Sequence, residues 1–153
     1  MKKKPSILFL STHNAVRGQM AEAMLRHLAG DRFEVKSAGI DPKPVPALTH
    51  RVLEEVGIEA LPLASKNVRD FMARTVVNVA IILGDGTPAD PRVYPFAPFN
   101  LTWRFEDPLS TPGTEDELLG RFRRLRDSLQ DHLQSWLDEE ASREAVLQET
   151  ALA

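Results

Sequence analysis

Between Ile7 and Leu28 the chain changes its hydrophobic period once, and that single change limits the folds open to it. Four consecutive apolar residues, Ile7 to Leu10, give way to polar Ser11, Thr12, His13 and Asn14. From Arg17 onward Met20, Met24, Leu25 and Leu28 recur at helical spacing, up to the glycine of "AGD" at 29–31. A short, unbroken apolar run bounded by a turn is the pattern of a strand buried on both faces, as in parallel sheets. A glycine just past the last periodic residue ends a helix without a Cβ penalty. The stretch therefore reads strand, loop, helix, and a parallel neighbour for the strand is required.

The rest of the chain supplies it. "RFEVKSAG", 32–39, alternates as a second strand, and "DPKPVP", 41–46, has turn chemistry. Leu48, Val52, Leu53 and Val56 mark a second helix that stops at Gly57. "SKNVRDFM", 65–72, reads as a short helix, and "VVNVAIIL", 76–83, as the central buried strand. "GDGTPADPRVYPFAPFN", 84–100, carries four prolines and is expected to be a long loop, and "LTWRF", 101–105, a last strand. A long amphipathic helix follows, started by Thr114 and an acidic first turn, with Leu118, Phe122, Leu125, Leu129, Leu133, Trp136 and Leu137 on its apolar face.

Alternating strands and helices imply an α/β fold: one three-layer domain with a mainly parallel four-stranded sheet flanked by helices. With 153 residues, 42% of them hydrophobic, the chain has enough material for one core. The domain is read over 1–138, and 139–153 either prolong the last helix or are disordered.

Charge and composition exclude several roles. A net charge of −3 offers no general attraction to nucleic acid or an anionic membrane. The arginines of "RFRRLR", 121–126, are most simply a solvated helix face. No apolar run approaches spanning or signal-peptide length, so a cytoplasmic protein is expected. Cysteine is absent, which excludes disulfides, thiolate chemistry and thiolate-held metals. The four histidines, His13, His27, His50 and His132, show no zinc-site spacing.

The loop after the first strand is the candidate site. A loop at the carboxyl edge of a parallel sheet that opens a helix points free N–H groups and the positive end of the helix dipole at an anion. Arg17, six residues after Ser11, offers a planar fork to two oxyanion oxygens. A surface salt bridge is the plainer use of such an arginine. The loop lacks the glycines and lysine of a nucleotide-binding P-loop.

"LFLSTHNAVRGQMAEA", with "SAG" at 37–39, "EVGI" at 55–58, "SKNVRDF" at 65–71 and "FEDP" at 105–108, resembles the low-molecular-weight protein tyrosine phosphatases and, more closely, the thioredoxin-linked arsenate reductases of that superfamily. The similarity spans roughly residues 5 to 138. Its loop is a cysteine, five residues and an arginine. The resemblance therefore implies that Ser11 stands at the nucleophile. Thr12, His13, Asn14, Ala15, Val16 and Arg17 form the anion cradle, and Asp107 stands at the general acid. Leu109, where phosphatases often carry an aromatic, leans toward the reductase branch.

The departures bear on activity. A positive cradle favours a thiolate nucleophile, whereas a serine hydroxyl needs a positioned base. His13 is the nearby candidate and is read as loop packing. Gly18 replaces a hydroxyl residue that supports the nucleophile in the family. The reductases' two further cysteines would fall in loop 84–100, which has no thiol. Tyr94, Phe96 and Phe99 there, with nearby Trp103, read either as pins onto the core or as a lid or protein-partner surface.

Some reductases of the family hold potassium near the loop, at positions matching Asn14, Glu22 and Ser37. Lys66 can supply that positive charge itself, so no cofactor or metal is expected. The sequence thus reads as an oxyanion-binding, catalytically impaired arsenate reductase- or phosphatase-like protein taking phosphate, sulfate, arsenate or a phosphorylated ligand. The alternative is an active arsenate reductase or tyrosine phosphatase seen here with its nucleophilic cysteine replaced by serine.

Overall fold

The computed structural model describes residues 3–59, 63–72 and 74–152, with 145–152 as backbone alone. Positions 1–2, 60–62 and 73 of the domain, and Ala153 of the tail, lie outside the described residues. In chain order come β1 (Ser6–Ser11), α1 (Arg17–Ala29), β2 (Glu34–Gly39), α2 (Ala47–Glu54), one turn of 3₁₀ helix (Val68–Asp70), β3 (Val79–Gly84), β4 (Phe99–Arg104) and α3 (Glu115–Leu152). The four strands form one parallel sheet in the order β2-β1-β3-β4. This is the α/β architecture that the alternation of periods implies.

Strand alternation divides the core. Ile7 and Phe9 of β1, Ile81 and Leu83 of β3 and Trp103 of β4 face all three α-helices, meeting Met20, Met24, Val52, Leu53 and Phe122. Leu8, Leu10, Ala80 and Ile82 face the opposite way, against Tyr94, Val68 and Phe71. The second face is therefore covered by the 3₁₀ turn and the loop before β4. Phe122, Leu129 and Leu133 are fully buried on α3, each worth about 1.5–3 kcal/mol relative to exposure.

Several boundaries move from the sequence expectation for local reasons. β3 starts at Val79 because Asn78 is spent on β1: its Oδ1 accepts the Ser6 N–H at 2.7 Å and its own N–H donates to the Ser6 carbonyl at 2.9 Å. Val76 is left exposed. β4 begins at Phe99, two residues early, since Asn100 closes the preceding turn by pairing with the Tyr94 N–H and carbonyl. The segment 65–72 makes only a 3₁₀ turn, started by Asn67, whose Oδ1 accepts the Arg69 N–H at 3.0 Å.

The start of α3 is a capping box, with the Thr114 Oγ1 accepting from Glu117 N–H and the Glu117 carboxylate accepting from Thr114 N–H. Leu119 joins its buried face, and Leu118 is only half-buried. The helix continues past Asp138 to Leu152. The arginines of 121–126 are not simply a solvated face. Arg126 is buried and donates to the Val52 carbonyl and to Glu55, Arg123 pairs with the same Glu55, and Arg121 holds the carbonyls of Thr111 and Pro112. No helix among the described residues is long and apolar enough to cross a membrane.

Candidate functional site

β1 delivers Ser11 to the carboxyl edge of the sheet, and α1 begins at Arg17, so the residues between them must turn within one short loop. Asn14 makes that turn at φ 49°, the left-handed region that asparagine tolerates better than most residues. Its side chain then locks it. Oδ1 accepts from Gln19 Nε2 at 3.0 Å and from the Lys66 N–H at 2.8 Å, while its carbonyl takes Gln19 Nε2 and Ser65 Oγ, each at 2.9 Å. Gln19 and Asn14 are both wholly buried.

Residues 39–43 support the loop from the other side. Asp41 N–H donates to the Thr12 carbonyl at 2.8 Å and Lys43 N–H to the His13 carbonyl at 3.0 Å. A Cβ at Gly39 would lie 2.9 Å from the Asn14 nitrogen. The glycine of "SAG" is therefore needed for close approach of two backbones.

Several donors of the loop remain free. The first helical N–H groups of α1 have no intrahelical partner, and the first turn holds no acidic residue to occupy them. Among the described residues, no protein acceptor takes the N–H groups of His13, Ala15 or Val16. Arg17 is only 5% exposed. Its Nη1 donates to the Phe105 carbonyl at 3.1 Å, and its Nη2 stands 3.9 Å from Asp107 Oδ2. Asp107 is itself fixed by the Leu109 N–H at 2.9 Å.

Ser11, Arg17 and Asp107 thus meet in one cavity of about 360 Å³, with His13, Lys43 and Leu109 at its mouth. Ala15 and Val16 also line it, whereas Thr12 and Asn14 turn their side chains into the protein. A tetrahedral anion placed between the loop amides and Arg17 would meet positive partial charge on one side and a full cation on the other.

The Ser11 hydroxyl is 2% exposed and accepts the Asn14 N–H at 3.1 Å. Among the described residues no imidazole or carboxylate bonds to it. His13 instead lies against Asp41, with Nδ1 at 3.0 Å from the Asp41 carbonyl, which agrees with loop packing. A Cβ at Gly18 would come 2.9 Å from both Ser11 Oγ and Asn14 Nδ2. The loop has closed over position 18.

Asn14, Glu22 and Ser37 do converge, but a cation is already among them. Ser37 Oγ donates to Glu22 Oε1 at 2.9 Å, and the Lys66 ammonium stands 3.3 Å from that same oxygen. Arg26 pairs with the other carboxylate oxygen at 3.2 Å. With Asn14 Oδ1 also taken by two donors, these residues do not fit a potassium ion.

In the loop before β4, Tyr94 is pinned in the core, and burial pushes its hydroxyl above the ordinary tyrosine range. Phe96 in this loop and Phe99 at the start of β4 are exposed, although Phe96 packs edge-on against Tyr94 with ring centroids 5.9 Å apart. Lys43 at the mouth was hidden in the sequence by its setting, "DPKPVP", which signals only turn.

The low molecular weight phosphotyrosine protein phosphatase family matches this chain over residues 6–87, the stretch that builds β1, the loop, α1 and the supports around them. The chain belongs to that family. Relatives of this family member include the arsenate reductase of Bacillus subtilis (strain 168), 31% identical over 136 residues that cover 86% of this chain and 94% of that protein. The arsenate reductase of Halalkalibacterium halodurans is 31% identical over 126 residues, 82% of this chain and 90% of that one. A solved structure described as an arsenate reductase in the phosphate binding state shares the fold with a TM-score of 0.72 at 24% identity, over 88% of this chain and 98% of its own. A tyrosine phosphatase of Erwinia amylovora shares it with a TM-score of 0.65 at 15% identity, over 90% and 93%.

Proposed function

We propose that this member of the low molecular weight phosphotyrosine protein phosphatase family binds a tetrahedral oxyanion, arsenate or phosphate, and is impaired as a catalyst. The observation that carries the reading is the contrast inside one cavity. Arg17 and the loop amides are in place, while among the described residues Ser11 presents a hydroxyl bonded only to the Asn14 N–H and lacking a base. A hydroxyl at its ordinary pKa is a weak nucleophile without such a base. A chain without cysteine also has no thiol relay to carry electrons to a reductase substrate.

Calorimetric titration with arsenate, phosphate and sulfate tests this. Binding that disappears in Arg17→Ala, with no turnover of an aryl phosphate, is the expected result. Turnover by the Ser11 protein that depends on Arg17 and Asp107 would overturn it. The phosphate-binding description of a structure with the same fold makes phosphate the first probe.

A second reading, an arsenate reductase or tyrosine phosphatase whose nucleophile has been exchanged, is favoured by one observation: Asp107 still stands 3.9 Å from Arg17 inside the cavity. Ser11→Cys separates the two. A large gain in aryl phosphate hydrolysis supports the second, and none leaves the first. We also read the site as independent of metal, with Lys66 in the cation's role. The melting midpoint then stays the same when potassium replaces sodium, and a rise specific to potassium would refute it.

A further inference from the structure

The end of β3 and the end of β1 are neighbours, because Leu10 pairs with Ile82 across the sheet. The loop leaving β3 is therefore beside the anion cradle, and one carboxylate joins them. Asp90 Oδ2 accepts the N–H groups of Asp85, Gly86 and Thr87 at 2.8, 2.9 and 3.2 Å. Its other oxygen, Oδ1, accepts the hydroxyl of Thr12 at 3.0 Å. Thr12 is the first residue of the cradle, and its hydroxyl is thereby turned away from the cavity.

The seat is a tight one. A Cβ at Gly84 would lie 2.6 Å from Asp90 Oδ2, so the carboxylate comes as close as only glycine at that position permits. Three N–H bonds would suffice to close a turn. The bond to Thr12 is an addition to the turn, and it ties loop 85–98 to the cradle.

We propose that Asp90 is a positioning residue for the oxyanion site, acting through the Thr12 hydroxyl to fix the first peptide units of the cradle and to couple the site to loop 85–98. The proposal rests on the oxyanion-binding reading above. A carboxylate near an anion site would ordinarily repel the ligand, but here its charge is spread over four donors. Burial opposes that charge, yet the bonds from Asp85, Thr12 and Gly86 outweigh it and hold the carboxyl below the usual aspartate range.

Coupling of this kind is reciprocal. An anion in the cradle steadies the turn at 85–87, and anything that displaces loop 85–98 weakens the anion. Exposed Val93 and Phe96 put apolar surface on that same loop.

Inorganic phosphate titrated by calorimetry into the full chain and into Thr12→Val, Thr12→Ser, Asp90→Asn and the double variant Thr12→Val/Asp90→Asn tests the link. Thr12→Val and Asp90→Asn are each expected to weaken phosphate about tenfold, which corresponds to about 1.4 kcal/mol. The double variant should lose no more than the more affected single one, because both changes act through the one contact: valine removes the hydroxyl, and asparagine replaces the two carboxylate oxygens with a single acceptor. Thr12→Ser, which keeps the hydroxyl, should recover most of the affinity that Thr12→Val loses.

Melting midpoints measured alongside show whether each variant is folded. If Asp90→Asn is not, Thr12→Val carries the test, since it leaves the three N–H bonds to Asp90 intact. Additive losses, an unchanged affinity in Thr12→Val, or a Thr12→Ser protein as weak as Thr12→Val would overturn the proposal alone. A parent protein that binds no phosphate would overturn the oxyanion reading and this proposal together.

Discussion

Replacing Arg17 by lysine keeps the positive charge and removes the fork. In the native site Nη1 is committed to the Phe105 carbonyl at 3.1 Å. Nη2 sits beyond hydrogen-bond reach of Asp107, at 3.9 Å, and so remains available to a ligand. A lysine ammonium has donors but one point of origin. It can serve the Phe105 carbonyl or the anion well, not both in a planar pair. The variant is thus expected to lose one charge-assisted hydrogen bond, about 1.5–3 kcal/mol, which is roughly a ten- to hundredfold weaker phosphate affinity.

Binding should be weakened and not abolished, because the amides at the start of α1 do not depend on residue 17's side chain. Calorimetry at fixed ionic strength gives the affinity, and a thermal melt checks that the buried lysine has not unfolded the protein. An Arg17→Lys protein that melts normally and binds phosphate within about twofold of the parent would refute the argument that the fork contacts the anion.

Two further outcomes follow from geometry elsewhere. Gly18→Ala puts a methyl group 2.9 Å from Ser11 Oγ and Asn14 Nδ2; overpacking of that kind costs about 1–3 kcal/mol, so the denaturant midpoint should fall, and an unchanged midpoint would show that the loop yields freely. Glu55 joins α2 to α3. Its bond to Arg123, opposed by desolvation and reinforced by Arg126, lowers its carboxyl from 4.5 to about 2. A lowered folded-state pKa means this contribution is complete above pH 4.5 and is lost as pH falls toward 2. Glu55→Gln should lower the melting midpoint at pH 7 and converge with the parent near pH 2, and parallel curves throughout would contradict it.

Elements that a local pattern specifies were legible in the sequence. The run Ile7 to Leu10, the 3.6-residue spacing from Met20 to Leu28 and the Thr114 start of α3 each depend on neighbours in the chain, and each is found where that spacing puts it. The Ser11 to Arg17 loop was legible for the same reason. What was not legible depends on residues far apart in sequence. Asn78 delays the start of β3 to Val79 because it bonds to Ser6, 72 positions away. Arg126 leaves the solvated face because Glu55 and the Val52 carbonyl are beneath it, and Arg123, still partly exposed, pairs with the same Glu55. Asp90 sits in a segment whose composition says only loop, and its partner Thr12 is 78 residues distant. Gly18 read as a missing hydroxyl, and only the closing distances show that the loop occupies its space.

The cradle draws most of its donors from peptide groups, held in place by Gly39, Asn14 and Gln19 behind the loop. On the proposed oxyanion reading, affinity at this site is a property of main-chain shape, while reactivity would be the property of a single side chain at position 11. Substitutions in the wall behind the loop should therefore alter which ions are held, and a substitution at position 11 that keeps an acceptor for the Asn14 N–H chiefly what happens to them. For a designer, the oxyanion reading makes the scaffold a receptor into which one chosen side chain can be set, provided that side chain still accepts the Asn14 N–H as Ser11 does.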